Sequence, residues 1–223
     1  MRPAPAVLAI GVADDRLVAG TSGVRAEWRA LGVEPPGDGR SFRAIFRRRD
    51  ATFRHLDRAS RALVLAAEAA GLGARLPREA RDDTAVVVET ERGSLEADLA
   101  FAASLEPGPA RGAVFAYTLP SASLGEVALR HGLRGPAICL SIDAGRNGEA
   151  LHEARRLIED DEALFALAGC VEALSEARGG LSGALRAVVA LIAGPGGGAA
   201  IAPWPAGADP FAELARRAAG SPT

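Results

Sequence analysis

The sequence predicts an α/β layer fold, one mixed and mainly parallel sheet covered by helices on both faces. Three features point there. Short runs of valine, leucine and isoleucine alternate along the chain with alanine-rich amphipathic stretches, as in layered α/β domains rather than bundles or sandwiches. The apolar runs are short and continuous, which is the pattern of strands buried on both faces. Helical stretches separate most of the strands, so right-handed crossovers link neighbours in a sheet. No Pro/Gly/Ser-rich linker divides the chain, and residues 1–223 are read as a single domain.

The elements follow in order. Val7 to Val12 reads as the first strand, the loop through Asp14 and Asp15 ends it, and a short helix is expected around Arg25 to Leu31. Residues 32–40 (GVEPPGDGR) form a Gly/Pro loop. Arg58 to Ala70 carries Ala62, Leu65, Ala66 and Ala69 at helical spacing and stops at Gly71, a helix C-cap. Thr84 to Thr90 (TAVVVET) is β-branched and compact, hence a central strand, and Ser94 is placed to cap a helix running to about Ser104. Ser121 to His131 reads as helix, Gly132 to Pro136 as turn, and Ala137 to Ile142 (AICLSI) as strand. Asn147 to Ile158 sets Ala150, Leu151, Ala154 and Ile158 on one helical face, and Ala163 to Cys170 is a further apolar strand. Leu185 to Ala193 and Gly198 to Pro203 are strands around GPGGG, read as a flexible hairpin turn because no helix and no Lys-Ser/Thr pair follow it. A short helix from about Pro210 to Ala218 comes last.

Composition excludes several classes of function. Twenty-six basic residues, every one an arginine, face 28 acidic ones for a net charge of −2, so bulk attraction to nucleic acid is not expected. The longest apolar runs fall short of the roughly 18 residues that a membrane-spanning helix needs. Residues 1–10 hold one arginine and two prolines with no apolar core before a cleavage-like site, which predicts a cytoplasmic protein. Cys139 and Cys170 lie within apolar stretches and read as reduced core thiols, with no metal and no cofactor called for.

A distinctive series of signals begins near Phe115. FAYTLPSASLGEVALRHGLRGPAICLSIDAG at 115–145 is followed by ALHEARRLI at 150–158 and FALAGCVEAL at 165–174; upstream, HLDRASR at 55–61 and VVVET at 86–90 stand in the same order. This series resembles the N-terminal half of a β-ketoacyl synthase of the thiolase-like superfamily. The resemblance implies a thiolase-like half, and it implies that the strand after Gly135-Pro136 leads to a strand-to-helix turn. In the family that turn presents a nucleophilic cysteine, activated by the helix N-terminus. Counting from Gly135 and Pro136, and anchoring the helix on Ala150 and Leu151, the nucleophile position is Ala144, which cannot take an acyl group. The family's two catalytic histidines come from a second, similar half. His55, His131 and His152 match neither and read as surface or capping residues.

The resemblance therefore implies a non-catalytic ketosynthase-like subunit, akin to the chain-length factors that accompany active synthases in polyketide, aryl-polyene or fatty-acid-like biosynthesis. It implies a dimer through the strand at 137–142, with a full-length β-ketoacyl synthase or with itself. Ser141, Asp143 and Arg146 are the pocket candidates around Ala144, and an Asp143–Arg146 pair is expected to stabilise the turn. The arginines at Arg40, Arg43, Arg47, Arg48, Arg49, Arg54, Arg58 and Arg61 form a basic patch. Within it Arg47, Arg48, Arg49 and Arg54 are candidates for docking an acyl carrier protein, since guanidinium forks suit phosphate and carboxylate; a solvated loop is the alternative. Two other functions stay open, an acyltransferase or thioesterase using Ser141, Asp143 or a histidine, and a stand-alone acyl- or carrier-protein-binding module. A lone half would also bare the apolar face that meets its twin in a complete synthase. Either a partner covers it or the tail at 203–223 folds over it, in which case Trp204 and Phe211 are buried.

Overall fold

The computed structural model describes residues 5–27, 45–46, 52–105, 112–175, 183–194, 199–200 and 209–220. Strands β1 (Ala6–Asp14), β2 (Leu17–Gly20), β3 (Arg25–Glu27), β4 (Thr84–Thr90), β5 (Ala137–Ser141), β6 (Phe165–Leu174), β7 (Ala184–Ala193) and β8 (Ala199–Ala200) form one sheet. Its order is β3-β2-β1-β7-β6-β4-β5, with β8 on β1. β4 pairs in parallel with both β5 and β6, and β7 runs antiparallel between β6 and β1. Of the five long strands, β1, β4, β5 and β6 thus point one way and β7 the other, the mixed α/β sheet expected.

The helices are α1 (Arg58–Ala70), α2 (Leu72–Arg75), α3 (Leu95–Ala103), α4 (Gly112–Phe115), α5 (Ala122–His131), α6 (Glu149–Glu159) and α7 (Pro210–Ala218). Helix α1 matches the expected span. Asp57 caps it by accepting from Ser60 N at 3.0 Å, and Gly71 ends it in left-handed backbone at φ 79°. It is buried almost all round because the sheet lies on one side and α5 on the other. Its approach to the sheet depends on Gly11 and Gly20, which face each other across the β1–β2 ladder. A Cβ on Gly11 would sit 1.9 Å from Ala66 O, and one on Gly20 2.1 Å from Ala69 O. Only glycine admits the helix backbone there.

Two cores result, one on each face. Ala9, Val86, Val88, Leu167, Val189 and Leu191 meet α1 and α5. Ile10, Val12, Val87, Ala168, Val188 and Ile192 meet α6 and α7. Period-two alternation along β4 and β7 sends successive side chains to opposite cores. No helix among the described residues is long and apolar enough to cross a membrane.

Four expectations change. The helix expected at Arg25 to Leu31 begins instead as strand β3, paired with β2 through Ala19↔Arg25, while 28–31 lie outside the described residues. The preceding turn is an Asx turn, in which Asp14 Oδ1 accepts from Arg16 N at 2.8 Å and Leu17 N at 2.6 Å. Strand β8 pairs with Ala6 and Val7 of β1 rather than with β7, so GPGGG does not close a β7–β8 hairpin. Ser94 stands at the start of α3 but caps no backbone amide; its hydroxyl donates to Thr118 O at 2.8 Å.

Candidate functional site

The site begins at the end of β5, whose register Val88↔Cys139 and Thr90↔Ser141 places its C-terminus beside that of β4. Ile142 N still donates to Thr90 O at 3.0 Å, and then the chain leaves the sheet. Arg146 N donates to Asp143 O at 3.0 Å, closing a tight turn in which Gly145 has φ 83°. That third position of the turn needs left-handed backbone, which glycine supplies. Ala144 is the second residue of the turn and is exposed, as are Ser141, Asp143 and Arg146. The strand-to-helix turn is therefore present, and its tip carries a methyl group.

Helix α6 starts three residues later, and its first amides already have a partner. Glu89, the penultimate residue of β4 and directly after its valine run, is only 1% exposed, and its carboxylate accepts from Gly148 N at 2.8 Å and Ala150 N at 2.7 Å. A buried acid must find donors or stay protonated, and the orphan amides of a helix N-terminus are such donors. Burial pushes the Glu89 carboxyl above its ordinary value, while the two amides pull the other way. The N-terminus of α6 is thus held by an internal carboxylate.

Neighbouring acids act in the same way. Glu172 of β6 accepts from Glu91 N at 2.6 Å and Arg92 N at 3.2 Å, and pairs with the Arg92 guanidinium at 3.2 Å. Glu91 Oε1 accepts from Gly145 N at 3.3 Å. The Arg146 guanidinium goes to Glu149 at 2.8 Å, so the side-chain pair expected with Asp143 does not form and the link between these two residues is through backbone alone. Among the described residues none hydrogen-bonds the Ser141 hydroxyl, and no base is in place to activate it.

The cysteines and histidines are elsewhere. Cys139 is half-buried on β5 and packs against the α1-side core, and burial raises its thiol pKa. Cys170 is buried in β6 and its thiol is pushed up to about 12 by burial. His131 corrects the expectation of a surface residue. It is 6% exposed, with Nε2 lying 3.7 Å from Glu68 Oε1, and burial with Arg130 and Arg81 nearby lowers its pKa to about 4. His152 is exposed on α6, and His55 accepts from Arg54 Nε at 3.1 Å on the surface.

The arginine patch divides. Arg54 is exposed. Arg58 pairs with Glu96 at 3.0 Å, and Arg61 Nε donates to Leu56 O at 2.7 Å, so both hold local structure. Arg40, Arg43, Arg47, Arg48 and Arg49 lie outside the described residues. Of the tail residues expected to be buried, Phe211 is fully so, and Trp204 lies outside the described residues.

Glu89 is the residue that the sequence reading missed. Its signal was an acid embedded in a β-branched strand with no basic residue adjoining it, a placement that demands buried donors.

Comparison with known proteins now adds to this geometry. A family model described as "Beta-ketoacyl synthase, N-terminal domain" matches residues 32–189, more than half of the chain. No curated protein matches in sequence. Among solved structures, the ishigamide ketosynthase/chain length factor superposes with a TM-score of 0.63 at 19% identity over 86% of this chain and 62% of the other. A ketosynthase in complex with its chain length factor from Xenorhabdus doucetiae gives a TM-score of 0.58 at 16% identity over 87% of this chain and 80% of that one. A type II PKS acyl-carrier protein in complex with its ketosynthase gives 0.53 at 16% identity over 87% of this chain and 64% of that one. The chain spans less than two thirds of the length of the first and third of these. At these identities the likeness shows the fold.

Proposed function

Since the chain belongs to the β-ketoacyl synthase N-terminal-domain family, we propose that it is a non-catalytic subunit working beside a full-length, active β-ketoacyl synthase in polyketide, aryl-polyene or fatty-acid-like biosynthesis. The observation that carries this is the β5–α6 turn, where exposed Ala144 stands at the place that the resemblance assigns to the nucleophile and Glu89 occupies the amides of the helix behind it. Condensation needs an acyl-accepting thiolate at that place and histidines beside it. Cys139 and Cys170 are held in the sheet as protonated thiols, and His131 is buried against α1.

The partner surface is the outer edge of β5. This strand closes the sheet on one side, pairs only with β4 among the described strands, and leaves Ala137 and Ser141 exposed at its ends. An unpaired edge of this kind accepts a further strand. Two of the similar structures, the ishigamide protein and the Xenorhabdus complex, combine a ketosynthase with a chain length factor, which favours a synthase as the occupant over a second copy. Carrier-protein docking is assigned to the basic patch around Arg54, and the structure with a bound carrier protein supports that class of partner.

The test is co-expression with full-length β-ketoacyl synthases of the same organism, followed by sizing, and intact-mass analysis of this chain after incubation with acyl-carrier-protein and coenzyme A thioesters. A heteromeric complex with no acyl adduct on this chain is expected. Ala137→Lys, which adds a charge to the exposed edge, should weaken the complex by about tenfold or more. A stable acyl adduct, or a complex indifferent to the edge charge, overturns the reading.

A further inference from the structure

We propose that helix α7 is a built-in cover for the β1–β7 part of one sheet face, so that a partner has the β5 edge, and not this face, to bind. The cover itself is a property of the isolated chain, and only the choice of the β5 edge by a partner rests on the function proposed above.

Helix α6 lies over β4 and β6, and by itself leaves the β1–β7 part of the same face without a helix. The exposed apolar residues there would be Ile10, Val12, Val188, Ala190 and Ile192, a strip long enough to drive association. Helix α7 lies across β1 and β7 and supplies Phe211 and Leu214, which are 0% and 1% exposed, to that core. Its polar face carries Glu213, Arg216 and Arg217, tied by ion pairs one turn apart. The amphipathic pattern therefore has one buried side and one solvent side, as a single-sided cover requires.

Both ends of the helix are fastened to the sheet. At the start, Asp209 caps α7 by accepting from Ala212 N at 2.9 Å, and the same carboxylate takes the Arg186 guanidinium of β7 through two bonds of 3.0 and 3.3 Å. At the end, Arg25 of β3 donates to Ala219 O at 2.5 Å, satisfying a C-terminal carbonyl. Pro210, the first helical residue, is seated on Gly148, where a Cβ would meet Pro210 Cγ at 2.6 Å. The start of α7 and the start of α6 thus interlock, and a side chain at position 148 would force them apart. A docking segment from another chain would have to break these ties before it met the apolar strip.

Amide hydrogen exchange on the intact chain, without a partner, tests this. Amides of residues 213–219 should exchange at least about a hundredfold more slowly than in an unstructured peptide. Phe211→Ala should raise exchange throughout α7 by about tenfold or more and increase binding of a hydrophobic dye, while β4 amides keep their protection. Arg216→Ala, on the solvent side, should change neither. When a synthase partner is added, α7 protection should stay constant. Free-chain exchange rates across α7 in the unaltered protein, an unchanged α7 in Phe211→Ala, or a partner that alters α7 protection each overturns the proposal. Global unfolding of Phe211→Ala leaves the first and third of these readouts to decide.

Discussion

If Glu89 has taken over the helix N-terminus, placing a cysteine at the tip of the turn will not by itself restore a reactive thiol. The perturbation is Ala144→Cys, alone and combined with Glu89→Gln. An unperturbed cysteine titrates near 8.5, and a helix N-terminus contributes about 0.3–1 kcal/mol at exposed sites and up to about 2 where it is partly buried. At 1.36 kcal/mol per pKa unit this is about 0.2–1.5 units. With Glu89 accepting from Gly148 N and Ala150 N, the positive end of α6 is already neutralised. The thiol in Ala144→Cys should therefore titrate close to 8.5 or above it. Exchange of Glu89 for glutamine removes the competing charge, and the thiol in the double variant should fall by about 0.2–0.7 unit, since position 144 is exposed and senses the lower part of the range. The assay is the pH dependence of iodoacetamide alkylation, read peptide by peptide. Cys170, held near 12, and Cys139, raised by burial, stay unreactive in the window used. A thiol already depressed below about 7.5 in Ala144→Cys, and unmoved by Glu89→Gln, would refute the reasoning.

The other predictions concern stability. Gly11→Ala puts a methyl group into Ala66 O and should cost more than about 3 kcal/mol in urea unfolding; a loss under about 1 would show that α1 can move away. For His131, the folded pKa of about 4 lies below the unfolded 6.5, so the unfolded chain binds the proton first. Its contribution is complete above pH 6.5 and declines by up to about 3 kcal/mol as pH falls towards 4. His131→Gln should flatten the stability profile across that interval, and parallel profiles would contradict the assignment. Asp209→Ala removes a helix cap and strands the half-buried Arg186, which predicts a loss of about 2–4 kcal/mol, whereas Asp209→Asn retains the cap and should lose less; thermal melts distinguish them.

Much of the fold was legible from local signals. Helix α1 was bounded by its apolar spacing and Gly71, β4 was set by its β-branched run, and α7 was placed from about Pro210, although the caps Asp57 and Asp209 emerged only in the structure. The β1–β2–β3 hairpin series was not foreseen, since β2 and β3 are only four and three residues long and the Asx turn at Asp14 was read merely as a loop. The position that the resemblance assigns to the nucleophile could be counted from Gly135-Pro136, but the occupied helix end behind it could not. Glu89 and its donors at 148 and 150 are about 60 residues apart, and that contact exists only once β4 and β5 are paired in register. His131 was misread for a similar reason, because its burial depends on α1 packing against α5.

The acids at one end of the sheet give the proposed non-catalytic role a physical basis. In open α/β sheets ligands bind at the carboxyl ends of parallel strands, where loop and helix amides lie free. Here that end carries Glu89 on the amides of α6, Glu91 on Gly145, Glu172 on the β4–α3 loop and Asp209 on α7. Each carboxylate takes a backbone donor that an oxyanion or a thiolate would need, and each ties together segments far apart in sequence. In the proposed non-catalytic role, local rigidity and the want of a reactive thiolate have one cause. A single substitution at Ala144 supplies the atom but not the donors, and so the proposed function falls to the surfaces that these acids do not touch, the β5 edge first among them.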